Sequence, residues 1–178
     1  MIKTNEGTHG SGVFLAHTEQ QARQLVYQML ERGLRPLVQE YIRESHGQDI
    51  RAFVVGGKVV ASMRRKAKGS EFRSNFHLGG EVEKLAISDE YAEIACKAAE
   101  ILGLEIAGVD MLESDRGPLV LEVNSSPGLE GIEAASGVNV ASRIISNLVS
   151  LHKSWQEAEQ KQQISDSQSD NEEAKGNA

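Results

Sequence analysis

Two short apolar segments decide the fold of this chain: IAGVDML at residues 106–112 and LVLEVN at residues 119–124. Each has the length and the Val, Ile and Leu content of a strand. The polar stretch ESDRG at residues 113–117 lies between them and predicts a hairpin loop. We therefore expect the two segments to pair as antiparallel neighbours in one sheet.

Each of these strands carries one acidic residue among apolar ones. A hairpin loop centred on Arg116 places Asp110 opposite Glu122, because residue 116 lies midway between them. Glu122 and Asn124 are two positions apart in one strand, so their side chains point to the same face of the sheet. Two carboxylates and one amide oxygen are therefore predicted to converge on one spot.

This convergence favours a metal site. Two neighbouring carboxylates without a counter-charge repel each other, and Mg²⁺ prefers oxygen ligands and is commonly held by one or two carboxylates. The alternative is that Asp110 and Glu122 are solvated strand residues, against which stands their position inside apolar strands. The predicted metal ligands are Asp110, Glu122 and Asn124.

Outward from this hairpin, the pattern alternates further strands with amphipathic helices. Gly56-Gly57 is a good two-residue hairpin turn, and Thr18 with Gln21 three positions later predicts a capped helix start. Antiparallel hairpins combined with packed helices predict an α+β fold built in layers. The other predicted strands are 13–16, 36–42, 49–55 and 58–65, and the predicted helices are 18–33, 88–102 and 138–155.

The composition is that of a soluble globular protein, with 39% hydrophobic and 25% charged residues among 178. No apolar run reaches membrane-spanning length, and the first residues do not resemble a signal peptide. The single cysteine, Cys96, excludes an internal disulfide framework. We therefore expect a cytoplasmic location.

The charge is unevenly distributed along the chain. Residues 156–178 carry −4 of the formal net charge of −7, and the nearly balanced remainder does not suggest nucleic-acid binding. The last residues also have too few apolar side chains to bury. Residues 1–153 are predicted to form one domain, and residues 154–178 a disordered acidic and polar tail.

Three glycines near the start, Gly7, Gly10 and Gly12, predict a loop whose backbone N–H groups can approach an anion. Lys3 lies just upstream as a point charge for phosphate. The loop is not a Walker A loop, because no Gly-Lys-Ser/Thr follows. A flexible turn between two strands explains the glycines equally well.

A second charged feature is a run of basic residues. A charge run is usually a solvated face, but this one could also clamp a transferred phosphate or an acidic substrate, for which arginine offers a bidentate fork. Both interpretations remain open from the residues alone. The members of the run are Arg64, Arg65, Lys66, Lys68 and Arg73.

Five motifs occur in the order in which ATP-grasp ligases have them: QEYI at 39–42, DIR at 49–51, FRSN at 72–75, GVD at 108–110 and EVNSSPG at 122–128. The stretches EFRSNFH at 71–77 and SPGLEGIE at 126–133 resemble the ribosomal protein S6 modification (glutamate ligase) family of ATP-grasp carboxylate–amine ligases. The resemblance covers residues 2–151. It implies the C-terminal part of an ATP-grasp fold, an antiparallel sheet with packed helices that is incomplete at its N-terminus.

The resemblance also implies a role for each matched residue. Asp110, Glu122 and Asn124 would bind two Mg²⁺ or Mn²⁺ ions, and Arg51 and Arg73 are the implied catalytic contacts of substrate or phosphate. The implied ATP-binding residues are Lys3 at the phosphates, Gly7, Gly10 and Gly12 in the loop over them, Glu40, Tyr41 and Ile42 at the adenine edge, Asp49 at the ribose, and Arg73, Ser74 and Asn75 along the phosphate and substrate side.

The implied reaction passes the γ-phosphate of ATP to a carboxylate and joins the resulting acyl phosphate to an amine. The resemblance names glutamate as the amine and the acidic C-terminus of ribosomal protein S6 as the acceptor. Family members carry an additional N-terminal domain and a further ATP-contacting lysine, which this sequence does not match. Two alternatives to a ligase therefore stay open: a catalytically silent remnant that binds nucleotide and metal, and a non-catalytic binder of an acidic partner.

Overall fold

The computed structural model describes residues 1–4, 12–67 and 81–176, the last fourteen of these by their backbone alone. The chain forms two compact units, Met1–Val138 and Asn139–Ala178. The described strands of the first unit are β1 (Ile2–Thr4), β2 (Val13–Phe14), β3 (Pro36–Val38), β4 (Gln48–Val55), β5 (Lys58–Lys66), β6 (Glu81–Lys84), β7 (Ile106–Leu112) and β8 (Leu119–Asn124). Its described helices are α1 (Glu19–Glu31), α2 (Asp89–Ile101) and α3 (Glu130–Ser136).

The larger sheet has five strands in the order β6-β5-β4-β7-β8, and all neighbouring strands are antiparallel. Helix α2 covers one face of this sheet with Ala95 and Ala99, which pack on alternate residues of β4 and β7. Because side chains alternate along a strand, the intervening residues of β4 and β7 point to the opposite face. That face carries the candidate site. The predicted α+β fold is confirmed.

The β4–β5 hairpin turns at Gly56 and Gly57 as predicted, and both have positive φ angles, 59° and 71°. The register shifts between Phe53 and Val54, so that Val54 pairs with Val59 but Phe53 pairs with Ala61. This β-bulge inserts one extra residue into β5 and changes which side chains of β5 face those of β4.

The smaller sheet has the order β2-β1-β3 and packs against α1. The predicted cap of α1 is present, since the Oγ1 of Thr18 accepts a hydrogen bond from the Gln21 N–H at 3.2 Å. Strand β3 ends at Val38, four residues earlier than predicted. Residues 39–42 leave the sheet and run into a 3₁₀ turn, Arg43–Ser45, in which Ser45 donates its hydroxyl to the Ile42 carbonyl at 2.8 Å.

The second unit contains helix α4, Val140–Gly176, which extends beyond the predicted end at residue 155. The added residues are rich in Gln and Glu, which favour helix, whereas the prediction used only their lack of apolar surface. The side chains of residues 151–162 are exposed. A helix whose side chains are exposed is not packed into a domain, so the predicted domain boundary at residue 153 stays a prediction.

No helix in the described ranges is long and apolar enough to cross a membrane.

Candidate active site

The two acidic residues of the β7–β8 hairpin lie opposite each other as the sequence predicts, with Asp110 paired to Glu122. Gly108 pairs with Asn124, so Asn124 lies one pair further along the same face. The register shifts after Asp110, because Met111 pairs with Val120 and Leu121 is the extra residue. The predicted register therefore holds from Asp110 and Glu122 to Gly108 and Asn124, and it differs by one residue between the bulge and the loop.

Asp110 is fully buried and is held by two arginines. The Nε of Arg51 donates to Oδ1 of Asp110 at 2.6 Å, and the Nη2 of Arg51 donates to Oδ2 at 2.7 Å. The Nη2 of Arg65 donates to the same Oδ2 at 2.6 Å. Each oxygen of Asp110 therefore has a charged donor, and the bidentate pair with Arg51 fixes the plane of the carboxylate.

Arg65 also holds a second carboxylate, because its Nε donates to Oδ1 of Asp49 at 2.6 Å. Asp49 is 4% exposed. The sheet register produces these contacts, since Arg51 pairs with Asp110 and Asp49 pairs with Arg65. Two arginines and two aspartates thus form a buried ion network, Asp49–Arg65–Asp110–Arg51, across strands β5, β4 and β7.

The network determines how the acidic residues ionise. Burial by itself would raise the pKa of Asp110, but hydrogen bonds from Arg51 and the charges of Arg65 and Arg51 outweigh it and hold this pKa below its usual value. Burial also opposes the charge of Arg65, yet Asp110 and Asp49 raise the pKa of that guanidinium. For Glu122, burial, the charge of Asp110 and a hydrogen bond to Asp110 raise the pKa. Asp110 is therefore an anion, beside which a negative charge on Glu122 is unfavourable.

The donor set fits a divalent cation. Glu122 and Asp110 lie opposite each other in the hairpin, and a divalent cation bound between them would remove their repulsion. The third donor, Oδ1 of Asn124, accepts a hydrogen bond from the Ser126 N–H at 2.8 Å and has a second lone pair. Among the described residues, no cluster of three or more His, Cys, Asp or Glu side chains could hold a metal.

The loop after β8 returns across the site beside Gly108. A β-carbon built on Gly108 would lie 2.8 Å from the Cβ of Pro127 and 3.7 Å from the Nε of Arg51. Only a residue without a side chain lets Pro127 approach the sheet this closely. Gly108 therefore fixes the path of the loop that follows Asn124.

Substitution of Gly108 by alanine is expected to lower the free energy of unfolding by about 1–3 kcal/mol, because the new methyl group displaces Pro127. The matched control is Gly128→Ala, since a β-carbon at Gly128 meets no atom within 4 Å. Urea unfolding of both variants measures the difference. Equal stabilities for the two variants would contradict the close approach of Pro127.

The other predicted ATP contacts lie partly in the smaller sheet. Lys3 is on β1, between Val13 and Leu37. Gly12 has a φ of 78°, and a β-carbon there would lie 2.6 Å from the Oγ1 of Thr4, so this position requires glycine. The remaining members of the two loops, Gly7, Gly10, Arg73, Ser74 and Asn75, lie outside the described residues.

The segment Glu40–Ile42, predicted to read the adenine edge, is irregular and borders a cavity of about 530 Å³. Ile42 is buried, whereas the Oε2 of Glu40 accepts from the Nη2 of Arg116 at 2.8 Å in the β7–β8 loop. This exposed ion pair is a weak link, but it joins the segment to the hairpin that carries Asp110. The cavity is lined by Leu15, Ala16, His17, Tyr41, Arg43 and His46.

The basic run is not a free basic surface in its described part. Arg64, Arg65 and Lys66 belong to strand β5, and each is bound to an acidic side chain. The Nη2 of Arg64 donates to Glu113 at 3.0 Å, and the Nζ of Lys66 donates to Glu83 at 2.8 Å. Lys68 and Arg73 lie outside the described residues. Arg65 is a site residue that the sequence analysis missed, because it treated the run as one feature.

Residues 1–148 match the family model described as the RimK-like ATP-grasp domain. The chain is 56% identical over 145 residues to a protein of Aeromonas salmonicida (strain A449) named "Probable alpha-L-glutamate ligase", covering 82% of this chain and 49% of that protein. A protein of the same name from Methanococcoides burtonii is 52% identical over 145 residues, with 82% and 48% covered. The chain thus spans about half the length of the curated relatives it matches.

Solved structures agree on the fold. D-cycloserine synthetase DcsG superposes with a TM-score of 0.64 at 18% identity, over 83% of this chain and 53% of that one. A D-alanine–D-alanine ligase from Bacillus anthracis in complex with ATP gives 0.62 at 20% identity, over 86% and 53%. The ATP-grasp ligase PsnB, in complex with a precursor variant, Mg and ADP, gives 0.54 at 26% identity, over 72% and 40%.

Proposed function

Because this chain belongs to the RimK-like ATP-grasp family, we propose that it supplies the metal- and nucleotide-binding part of an ATP-dependent ligase that joins glutamate to a carboxyl group. The observation that carries this proposal is the alignment of Asp110, Glu122 and Asn124 on one face of the β7–β8 hairpin. Three oxygen donors at this spacing suit a divalent cation that binds nucleotide phosphates. The names of the curated relatives support glutamate as the amine.

On this proposal the γ-phosphoryl group of ATP passes to an acceptor carboxylate, which forms an acyl phosphate and releases ADP. The amine of glutamate then attacks the acyl carbon, an amide bond forms, and phosphate leaves with the electron pair of the broken C–O bond. The acceptor is the acidic C-terminus of a protein such as ribosomal protein S6, as the sequence resemblance implies. Catalysis of this kind depends on positioning and on charge stabilisation rather than on covalent chemistry by the protein.

The side chains of the site have separate tasks in this scheme. Asp110, Glu122 and Asn124 would hold a divalent ion, which would neutralise the charge that develops on the nucleotide phosphates. Arg51 uses its Nε and Nη2 on Asp110. Its third nitrogen, Nη1, is the one from which it would contact phosphate or the substrate carboxylate.

Binding of an acidic partner by the basic run alone is not favoured by these contacts. The charges of Arg64, Arg65 and Lys66 are already compensated by acidic side chains of the same unit. An acidic partner would have to displace them. We therefore propose a ligase site and not a purely electrostatic docking surface.

The test is ADP release from ATP and Mg²⁺ with glutamate and a peptide that ends in acidic residues. It is run with the 178-residue chain alone, and again with the part of the Aeromonas salmonicida relative that this chain does not match supplied as a second polypeptide. The expected result is ADP release that requires glutamate and is accompanied by a peptide heavier by one or more glutamate residues. Replacing glutamate with aspartate is the matched control. The proposal would be overturned if ADP were released neither by the chain alone nor with the second polypeptide.

A further inference from the structure

Arg65 joins two acidic residues that lie in different strands. Its Nε donates to Asp49 and its Nη2 donates to Asp110, both at 2.6 Å. Its side chain is 11% exposed. These are two different nitrogens of one planar group, so the guanidinium fixes the position of one carboxylate relative to the other.

We propose that Arg65 is a positioning residue, which ties Asp110 to Asp49 and so holds the Asp110 carboxylate in the orientation that a divalent cation requires. This inference rests on the proposed metal role of Asp110. Groups that orient a metal ligand are often as necessary for affinity as the ligand itself.

The two arginines of the network are not equivalent. Arg51 lies directly opposite Asp110 in the sheet and donates a hydrogen bond to each of its oxygens, so it fixes the plane of the carboxylate. Arg65 reaches Asp110 from β5, with β4 lying between the two strands. Because Arg65 is also bound to Asp49 of β4, it fixes the position of the Asp110 carboxylate relative to Asp49 as well. Arg65 therefore resists a sideways movement of the Asp110 side chain.

Loss of the Arg65 charge and loss of its orienting contacts should change the affinity for a cation in opposite directions. A guanidinium beside a cation site repels the cation, so loss of its charge by itself strengthens cation binding. Loss of orientation weakens cation binding. Arg65→Lys separates the two effects, since lysine keeps the positive charge but lacks the planar fork that bridges two carboxylates.

The experiment measures the affinity of the 178-residue chain for Mn²⁺ alone, from the electron paramagnetic resonance signal of free Mn²⁺. Nucleotide is left out, so that the nucleotide role proposed for Asp49 does not enter. Arg65→Lys is expected to weaken Mn²⁺ binding by about 10- to 100-fold. The matched control is Arg64→Lys, the same change at the next residue, whose partner Glu113 lies outside the network. Its affinity is expected to equal that of the unaltered chain.

Two further variants make the outcome decisive. Glu122→Ala removes a proposed ligand, and Mn²⁺ binding that survives it would refute the metal site itself. If Glu122→Ala abolishes binding while Arg65→Lys binds like the unaltered chain, the metal site stands and the positioning role is refuted. Should Arg65→Lys fail to fold by circular dichroism, Asp49→Ala decides the question, because it removes the oxygen that accepts from the Nε of Arg65 and leaves Arg65 and Asp110 in place. Unchanged Mn²⁺ binding in a folded Asp49→Ala variant would likewise refute the positioning role.

Discussion

Replacement of Asp110 by alanine is expected to lower the free energy of unfolding by about 3–5 kcal/mol, the usual cost of removing one partner from a buried ion pair. The side chains of Arg51 and Arg65 are 12% and 11% exposed. Without Asp110, Arg51 loses both hydrogen bonds described for it, and Arg65 loses one of its two. Asp49 and the exposed Glu122, which also feels the charge of both arginines, replace the buried Asp110 only in part. Urea unfolding followed by circular dichroism measures the loss.

The matched control for this prediction is Glu122→Ala, which removes the other carboxylate of the same cross-strand pair. Glu122 is more exposed than Asp110, and its pKa is raised by burial and by the charge of Asp110. Its removal should therefore change the free energy of unfolding by less than about 1 kcal/mol. An Asp110→Ala variant as stable as Glu122→Ala would show that the ion network contributes little.

Substitution of Glu122 by glutamine is expected to reduce glutamate-dependent ADP release by about 100-fold or more, because a metal ion at the phosphates contributes several kcal/mol of transition-state stabilisation. Glutamine keeps the size of the side chain and removes only the charge that binds a cation. The same variant should keep the stability of the unaltered chain. ADP release is measured in whichever format of the ligase assay supports turnover.

Glu113→Gln provides the comparison for this second prediction. Glu113 is an acidic residue of the same hairpin, but its Oε1 accepts a hydrogen bond from Arg64 outside the ion network. Loss of its charge should leave ADP release unchanged. Comparable rates for Glu122→Gln and Glu113→Gln would place the metal elsewhere. Because Asp110→Ala also removes a structural contact, Glu122→Gln is the cleaner probe of the chemistry.

The sequence was sufficient to predict features that depend on neighbouring residues. The glycine turn at residues 56–57 and the cap at Thr18 follow from local backbone preferences, and both are present. The pairing of Asp110 with Glu122, predicted from a loop centred on Arg116, is confirmed, although the bulge at Leu121 is needed to produce it. Helix α3 was missed, because its seven residues follow a Pro/Gly loop and are too few for a clear helical period.

The role of Arg65 could not be predicted, because it depends on a bulge. A regular hairpin turning at Gly56-Gly57 would pair Asp49 with Arg64, and Arg65 would then point to the face that α2 covers. The extra residue in β5, Val60, lies opposite the step from Phe53 to Val54 and shifts the pairing by one, so that Arg65 lies opposite Asp49. Nothing in the sequence near residues 59–61 signals this bulge. The burial of Asp110 was likewise not predictable, since its two arginines lie 59 and 45 residues away in the chain.

The ion network also orders events during synthesis of the chain. Asp49 and Arg65 are 16 residues apart, so the β4–β5 hairpin contains this pair as soon as it leaves the ribosome. Arg51 has to wait for Asp110, which is made 59 residues later. Until β7 pairs with β4, Arg51 lacks the carboxylate to which both of its described hydrogen bonds are made. The three oxygen donors come together only when β8 in turn pairs with β7 and brings Glu122 and Asn124 to the face of Asp110.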